Sequence, residues 1–166
     1  MKDYLRLIDT KTQGPRNDVT PLFANHEAFV SLVEDLSRPF ADAPVDCVAG
    51  IDALGFILGT AVALRLGRGF VPVRKGGKLP VRATAADFVD YTGEAKSLEM
   101  RTDAIAPGTR VLIVDEWVET AAQVTAAAKL IEGLGGIVAG IATIAMDDNA
   151  QTRVLRRRYH CHTASS

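Results

Sequence analysis

Between Val111 and Thr125 the chain reads V-L-I-V-D-E-W-V-E-T-A-A-Q-V-T, an unbroken apolar run ending in two adjacent carboxylates and a short turn before a helical pattern. Residues Val111, Leu112, Ile113 and Val114 leave no polar face for water, so the run suits a central parallel strand covered on both sides. Asp115 and Glu116 then fall at its carboxyl end. That is the edge along which open α/β sheets bind ligands, which makes both carboxylates candidates for a site.

The flanking sequence repeats the theme. Val45 to Ile51 reads as a strand, Asp52 to Gly55 as a turn, and a helix follows through Ala61 to Leu66, ending at Gly67. Phe70 to Val73 is a second strand. After the acidic pair, Val124, Ala127, Ala128, Leu130, Ile131 and Leu134 keep helical spacing up to Gly135 and Gly136, and Ile137 to Ala145 is a further apolar strand. Near the amino terminus, Asn25 to Phe40 carries apolar positions at helical spacing, with Asn25 as N-cap and Pro39 near the stop. Residues Ala83 to Met100 are polar with short alternating runs, the pattern of a long hairpin or mobile loop. Alternation of strand and helix implies a doubly wound, mainly parallel α/β sheet flanked by helices.

With 166 residues, 48% hydrophobic and 23% charged, the chain is expected to form one domain over 1–166. A formal net charge of -1 gives no general reason for nucleic acid or an anionic membrane as partner, so any anion site must be local. Cys47 and Cys161 show no disulfide framework, the amino terminus lacks a signal-peptide core, and charges interrupt every long apolar stretch. A cytoplasmic protein is the expectation.

The stretch at Asp115 resembles the phosphoribosyl pyrophosphate signature of type I phosphoribosyltransferases, an apolar strand followed by D-D-L-L-A-T-G-G-T. Upstream, V-A-G-I-D-A-L-G-F from Val48 to Phe56 and V-R-K-G-G-K-L-P from Val73 to Pro80 resemble the adenine phosphoribosyltransferase family in order and spacing. N-D-V-T-P-L from Asn17 to Leu22 is similar to that family's R-D-I-S-P-V segment, and F-V-D-Y from Phe88 to Tyr91 to the S-L-E-Y of its flexible loop. The likeness spans roughly residues 14 to 145.

The resemblance implies a set of roles. Asp115, Glu116 and Asp90 would be catalytic. Asp52, Ala53, Arg74, Lys75 and Lys78 would hold the diphosphate, and Thr120, Ala121, Ala122 and Gln123 the 5′-phosphate at a helix start. Arg16 and Asn17 would lie at the base, under a covering region drawn from 1–45. Phosphoribosyl pyrophosphate with Mg2+, a nucleobase acceptor and a homodimer complete the implied picture.

The departures cluster in the phosphate loops. Glu119 replaces a small residue, and a carboxylate ~5 Å from a phosphate costs roughly 3 kcal/mol per phosphate charge at an effective dielectric of 20. Ala121 and Ala122 replace paired glycines, at on the order of 1 kcal/mol wherever positive φ is required. Gln123 replaces a threonine, while Leu54 and Asn17 each stand where the family has arginine. Two alternatives to transfer therefore stay open: a non-catalytic nucleotide- or nucleoside-binding regulatory homologue, or an enzyme for a ribosyl compound lacking a 5′-phosphate. In the tail, R-R-R-Y-H-C-H from Arg156 to His162 lacks the second ligand pair of a zinc site and reads as a surface or packing segment.

Overall fold

The computed structural model describes residues 2–14, 16–90 and 92–165. Seven strands form one sheet in the order β3-β4-β2-β1-β5-β6-β7. They are β1 (Cys47–Ile51), β2 (Gly69–Lys75), β3 (Ala83–Val89), β4 (Ala95–Arg101), β5 (Arg110–Val118), β6 (Ile137–Met146) and β7 (Cys161–Thr163). The five strands from β2 to β7 through β1, β5 and β6 are parallel, and the β3-β4 hairpin extends the edge antiparallel to β2.

The helices are α1 (Thr20–Ala24), α2 (His26–Ser37), α3 (Leu54–Leu66), α4 (Ala122–Gly133) and α5 (Ala150–Arg158). Strand periodicity sorts the core between two layers. On β5, Val111 and Ile113 join the cluster beneath α4, whereas Leu112 and Val114 join the cluster built with α2 and α3. The apolar run is buried at every position because each face has its own helical cover.

Local chemistry sets the helix boundaries. The Asn25 side chain accepts the Ala28 N–H at 3.0 Å and caps α2, which gives way to a short 3-10 turn at Arg38–Phe40 around Pro39. Gly67, at φ 65°, closes α3 in the left-handed conformation that glycine takes without a Cβ penalty. The expected segment Ala83 to Met100 is a regular hairpin, and its inner strand β4, paired to β2, places Leu98 and Met100 in the core beneath α4.

Three helical elements went unread in sequence: the 3-10 helix Asp3–Leu7, α1 and α5. The start of α5 is capped by Asn149 in a reciprocal box with Thr152. Its last turn carries Arg156, Arg157 and Arg158, where cations complement the helix dipole. The tail, where a strand would put His160 and His162 on one face, is strand β7 only from Cys161, so His160 lies outside it. His162 lies 3.7 Å from buried Asp35. Arg158 pairs with Glu132 at 2.7 Å, which makes that part of the basic run a packing contact. No helix among the described residues is long and apolar enough to cross a membrane.

Candidate active site

The chain reverses its winding direction between β1 and β5. From β1 it crosses by α3 to β2 on one side, and from β5 by α4 to β6 on the other. Loops leaving the carboxyl ends of these adjacent strands therefore diverge and open a crevice at the switch point. A cavity of about 1060 Å³ lies there, walled by the loop at Asp52, the acidic pair, the turn from Glu119 to Gln123, and the hairpin. Gly55 allows the close approach at its base: a Cβ there would sit 2.8 Å from the Val114 carbonyl and 3.1 Å from Asp115 Oδ1.

Asp115 and Glu116 both line the cavity, as the sequence leads one to expect. Asp115 is buried, and its Oδ1 accepts the Glu116 N–H at 2.9 Å. Burial pushes its carboxyl up to about 8; the Glu116 N–H and Arg16 pull it down, while Glu116 and Glu119 push it further up. Burial likewise raises Glu116, opposed by Arg16 and reinforced by Glu119 and Asp18. Two carboxyls with raised proton affinity in one cleft form a constellation typical of functional sites.

The diphosphate-type segment divides. Lys75 and Asp52 line the cavity, and Asp52 Oδ2 accepts the Lys75 N–H at 3.3 Å. Arg74 and Lys78 do not belong to the cavity wall. Arg74 Nη1 instead donates to the Lys78 carbonyl at 3.0 Å, and the exposed Lys78 presents its backbone N–H to Glu99 Oε1 at 2.6 Å. Glu99 also accepts from Leu79 N–H. Burial raises the Glu99 carboxyl, yet the turn's N–H groups and Arg74 outweigh it and hold the group below its ordinary range. The cationic motif is thus partly spent on tying its own glycine-rich turn.

The opposite wall is the turn into α4. Thr120, Ala121, Ala122 and Gln123 all face the cavity, and α4 starts with no side-chain cap on its N–H groups. Ala121 has φ 62°, so the conformational cost expected of the lost glycines is real there; it does not extend to Ala122, the first helical residue. Glu119 also lines the cavity. Its carboxylate takes Arg16 Nε at 3.2 Å and Nη2 at 3.5 Å, a two-pronged pair between the amino-terminal segment and the turn.

Arg16 and Asn17 line the cavity next to Asp18, whose backbone pairs with that of Asp9 at 2.9 Å in both directions. Asp90 is on the wall, but its oxygens are engaged. Oδ1 accepts Thr92 N–H, Thr92 Oγ1 and Glu94 N–H, and Oδ2 binds Lys96. Lys96 first, then Thr92, hold its carboxyl far below the usual range. It is an anion that fastens the turn of the hairpin. Tyr91 of the same segment lies outside the described residues.

Sequence reasoning missed Asp147 and Asn149. Both line the cavity; Asp147 Oδ1 accepts Trp117 Nε1–H at 2.8 Å, and Asn149 Nδ2 donates to the Glu119 carbonyl at 2.7 Å. The signal was present, since D-D-N follows the apolar run of β6 just as D-E follows the apolar run Val111–Val114 within β5.

A switch-point crevice on this sheet, with an acidic pair on one wall and a helix start beside it, defines the type I phosphoribosyltransferase class. No family model matches the chain. It is 46% identical over 144 residues to the adenine phosphoribosyltransferase of Dinoroseobacter shibae, covering 86% of this chain and 80% of that one. Among solved structures, the adenine phosphoribosyltransferase of Thermoanaerobacter pseudethanolicus superposes with a TM-score of 0.88 at 34% identity, over 96% of this chain and 95% of the other. That of Saccharomyces cerevisiae, complexed with an imino-altritol bisphosphate and adenine, gives 0.79 at 28% identity, over 96% and 97%. The chain belongs to the adenine phosphoribosyltransferase family.

Proposed function

We propose that this protein transfers the phosphoribosyl group of phosphoribosyl pyrophosphate to N9 of adenine, forming AMP and pyrophosphate. Family membership supports the reaction class, and the observation that carries the site assignment is the acidic pair sharing one cavity with Lys75. In this reading, Asp115 and Glu116 accept hydrogen bonds from the ribose hydroxyls and steady the positive charge that grows on the sugar as its bond to diphosphate breaks. Lys75 and the backbone of the Asp52–Ala53 turn receive the leaving diphosphate. The α4 N–H groups, with Thr120 and Gln123, take the 5′-phosphate. The region 1–45 covers the base through Asn17.

Among the described residues no group of three or more His, Cys, Asp or Glu side chains is arranged to hold a metal. The donors present fit magnesium in its usual phosphate-site mode, where one or two carboxylates complement oxygens supplied by the substrate. Asp115 and Glu116 would be those carboxylates, and the ion would neutralise charge on the diphosphate. Ile57 and Leu64, exposed on α3 at 46% and 76%, favour a homodimer that covers them. The cytoplasm is the compartment proposed, on the strength of two unpaired cysteines.

The carboxylate of Glu119 on the cavity wall favours one further reading, action on a ribosyl compound without a 5′-phosphate. Incubating the purified protein with adenine, phosphoribosyl pyrophosphate and Mg2+ separates the two: chromatography is expected to show AMP and pyrophosphate in equal amounts. Failure to form AMP, with thermal stabilisation by nucleosides and none by phosphoribosyl pyrophosphate, overturns the transfer reading in favour of the second.

A further inference from the structure

Three acidic side chains, Asp115, Glu116 and Glu119, share one cavity with the start of α4, where a phosphorylated ribose would have to place a dianion. The Glu119 carboxylate is electrostatically wrong for phosphate unless a cation accompanies it. Lys75 and Lys96 also line the cavity, from the end of β2 and from β4. Beside α4, the pairing cation is Arg16, whose guanidinium meets Glu119 through two nitrogens. The arm is long and 56% exposed, and Glu119 is 27% exposed, so the pair is open to water and exchangeable at small cost. A phosphate offers a guanidinium the same planar two-oxygen geometry with more charge than a carboxylate.

We infer that Arg16 is a 5′-phosphate-binding residue, held over the cradle by Glu119 in the free protein and handed to the phosphate when ligand enters. The inference rests on the transfer reading for its ligand and moves Arg16 from the base end of the cavity, where motif likeness places it, to the phosphate end. Glu119 then acts as a competitor that the phosphate must displace. The pair explains how the turn tolerates a carboxylate: its charge is matched in the empty site, and ligand binding replaces one anion on Arg16 by another. Asn149, which holds the Glu119 carbonyl, keeps the backbone of the turn in place through the exchange.

Titration calorimetry with ribose 5-phosphate and, separately, pyrophosphate tests this on four proteins: wild type, Arg16→Ala, Glu119→Ala and the double variant. Arg16→Ala is expected to weaken ribose 5-phosphate binding about tenfold or more and to change pyrophosphate affinity by less than about twofold. Glu119→Ala is expected to tighten ribose 5-phosphate at least about threefold. The deciding comparison is Arg16→Ala in the Glu119→Ala background, where the loss should be as large or larger, because Glu119 no longer competes with the phosphate for the arm. If the loss disappears there, Arg16 serves only to neutralise Glu119 and the inference is overturned. Equal losses for both ligands, or no ribose 5-phosphate binding by either wild type or Glu119→Ala, overturn it too. The transfer reading fails separately, by absence of AMP formation while ribose 5-phosphate still binds with the expected Arg16 dependence.

Discussion

The turn after β2 and the turn after β5 were equally recognisable as motif segments, yet they present opposite things to the cavity. After β2, the charges of R-K-G-G-K-L-P are largely internal: Arg74 bonds the Lys78 carbonyl, Glu99 gathers the turn's N–H groups, and Lys75 alone of the three cations is on the cavity wall. At the carboxyl end of β5, Asp115 and Glu116 themselves form the wall, and burial resists their ionisation. The first turn offers a shaped backbone with one lysine; the second offers carboxyls whose charge is energetically costly in the empty site. Preorganisation therefore resides in hydrogen-bonded geometry at one end and in strained protonation at the other.

The largest expected effect comes from removing that strain. Asp115→Asn is expected to lower kcat/KM for transfer by about a thousandfold, or about 4 kcal/mol of transition-state stabilisation. It should also stabilise the fold. The Asp115 carboxyl, near 8 when folded, lies above the ~3.9 of a free aspartate, so the unfolded chain loses its proton first. The neutral carboxyl's contribution to stability is complete below about pH 4 and is lost progressively as pH climbs to about 8. Urea melts at about pH 4.5 and about pH 8 should show the variant gaining on wild type by at least about 1 kcal/mol more at the higher pH. A difference that is flat with pH would erase the contrast between the two turns.

A medium effect sharpens the other side. Lys75→Ala is expected to weaken pyrophosphate binding roughly tenfold, and wild-type affinity should fall towards that of the variant as salt rises. Lys78→Ala should change it by less than about twofold, since Lys78 contributes a backbone N–H to the turn. Equal losses at Lys75 and Lys78 would mean that both side chains swing to the ligand and that the turn is less self-contained than its hydrogen bonds imply.

The smallest effect separates two alanines that look identical in sequence. Ala121→Gly relieves a left-handed residue at roughly 1–2 kcal/mol and gives up a buried methyl at roughly 0.8 kcal/mol, a net gain of a few tenths to about 1 kcal/mol. Ala122→Gly has only a helical residue to lose and should cost up to about 1 kcal/mol. Thermal melts of the two variants shifting in opposite directions are the expected result; shifts of the same sign would show that φ at Ala121 does not govern the turn.

The sequence by itself determined the sheet and its winding, because an apolar run with no polar face demands cover on both sides, and alternating periods place that cover as helices. It located Asp115 and Glu116 through the same logic, and would have located Asp147 and Asn149 had the rule been applied to β6. Segments with weaker periodicity escaped it: α1 is five residues long, and α5 is mostly polar, held by its cap and by packing at Thr152 and Leu155. What only the tertiary structure decided is direction. Whether Arg74 turns to a ligand or to Lys78, whether Asp90 accepts protons or fastens a turn, and whether Glu119 faces water or Arg16 depend on partners 4, 2 to 6 and 103 residues away. A side chain's partner is chosen by the geometry of the folded chain, and residue type alone supplies no direction in space.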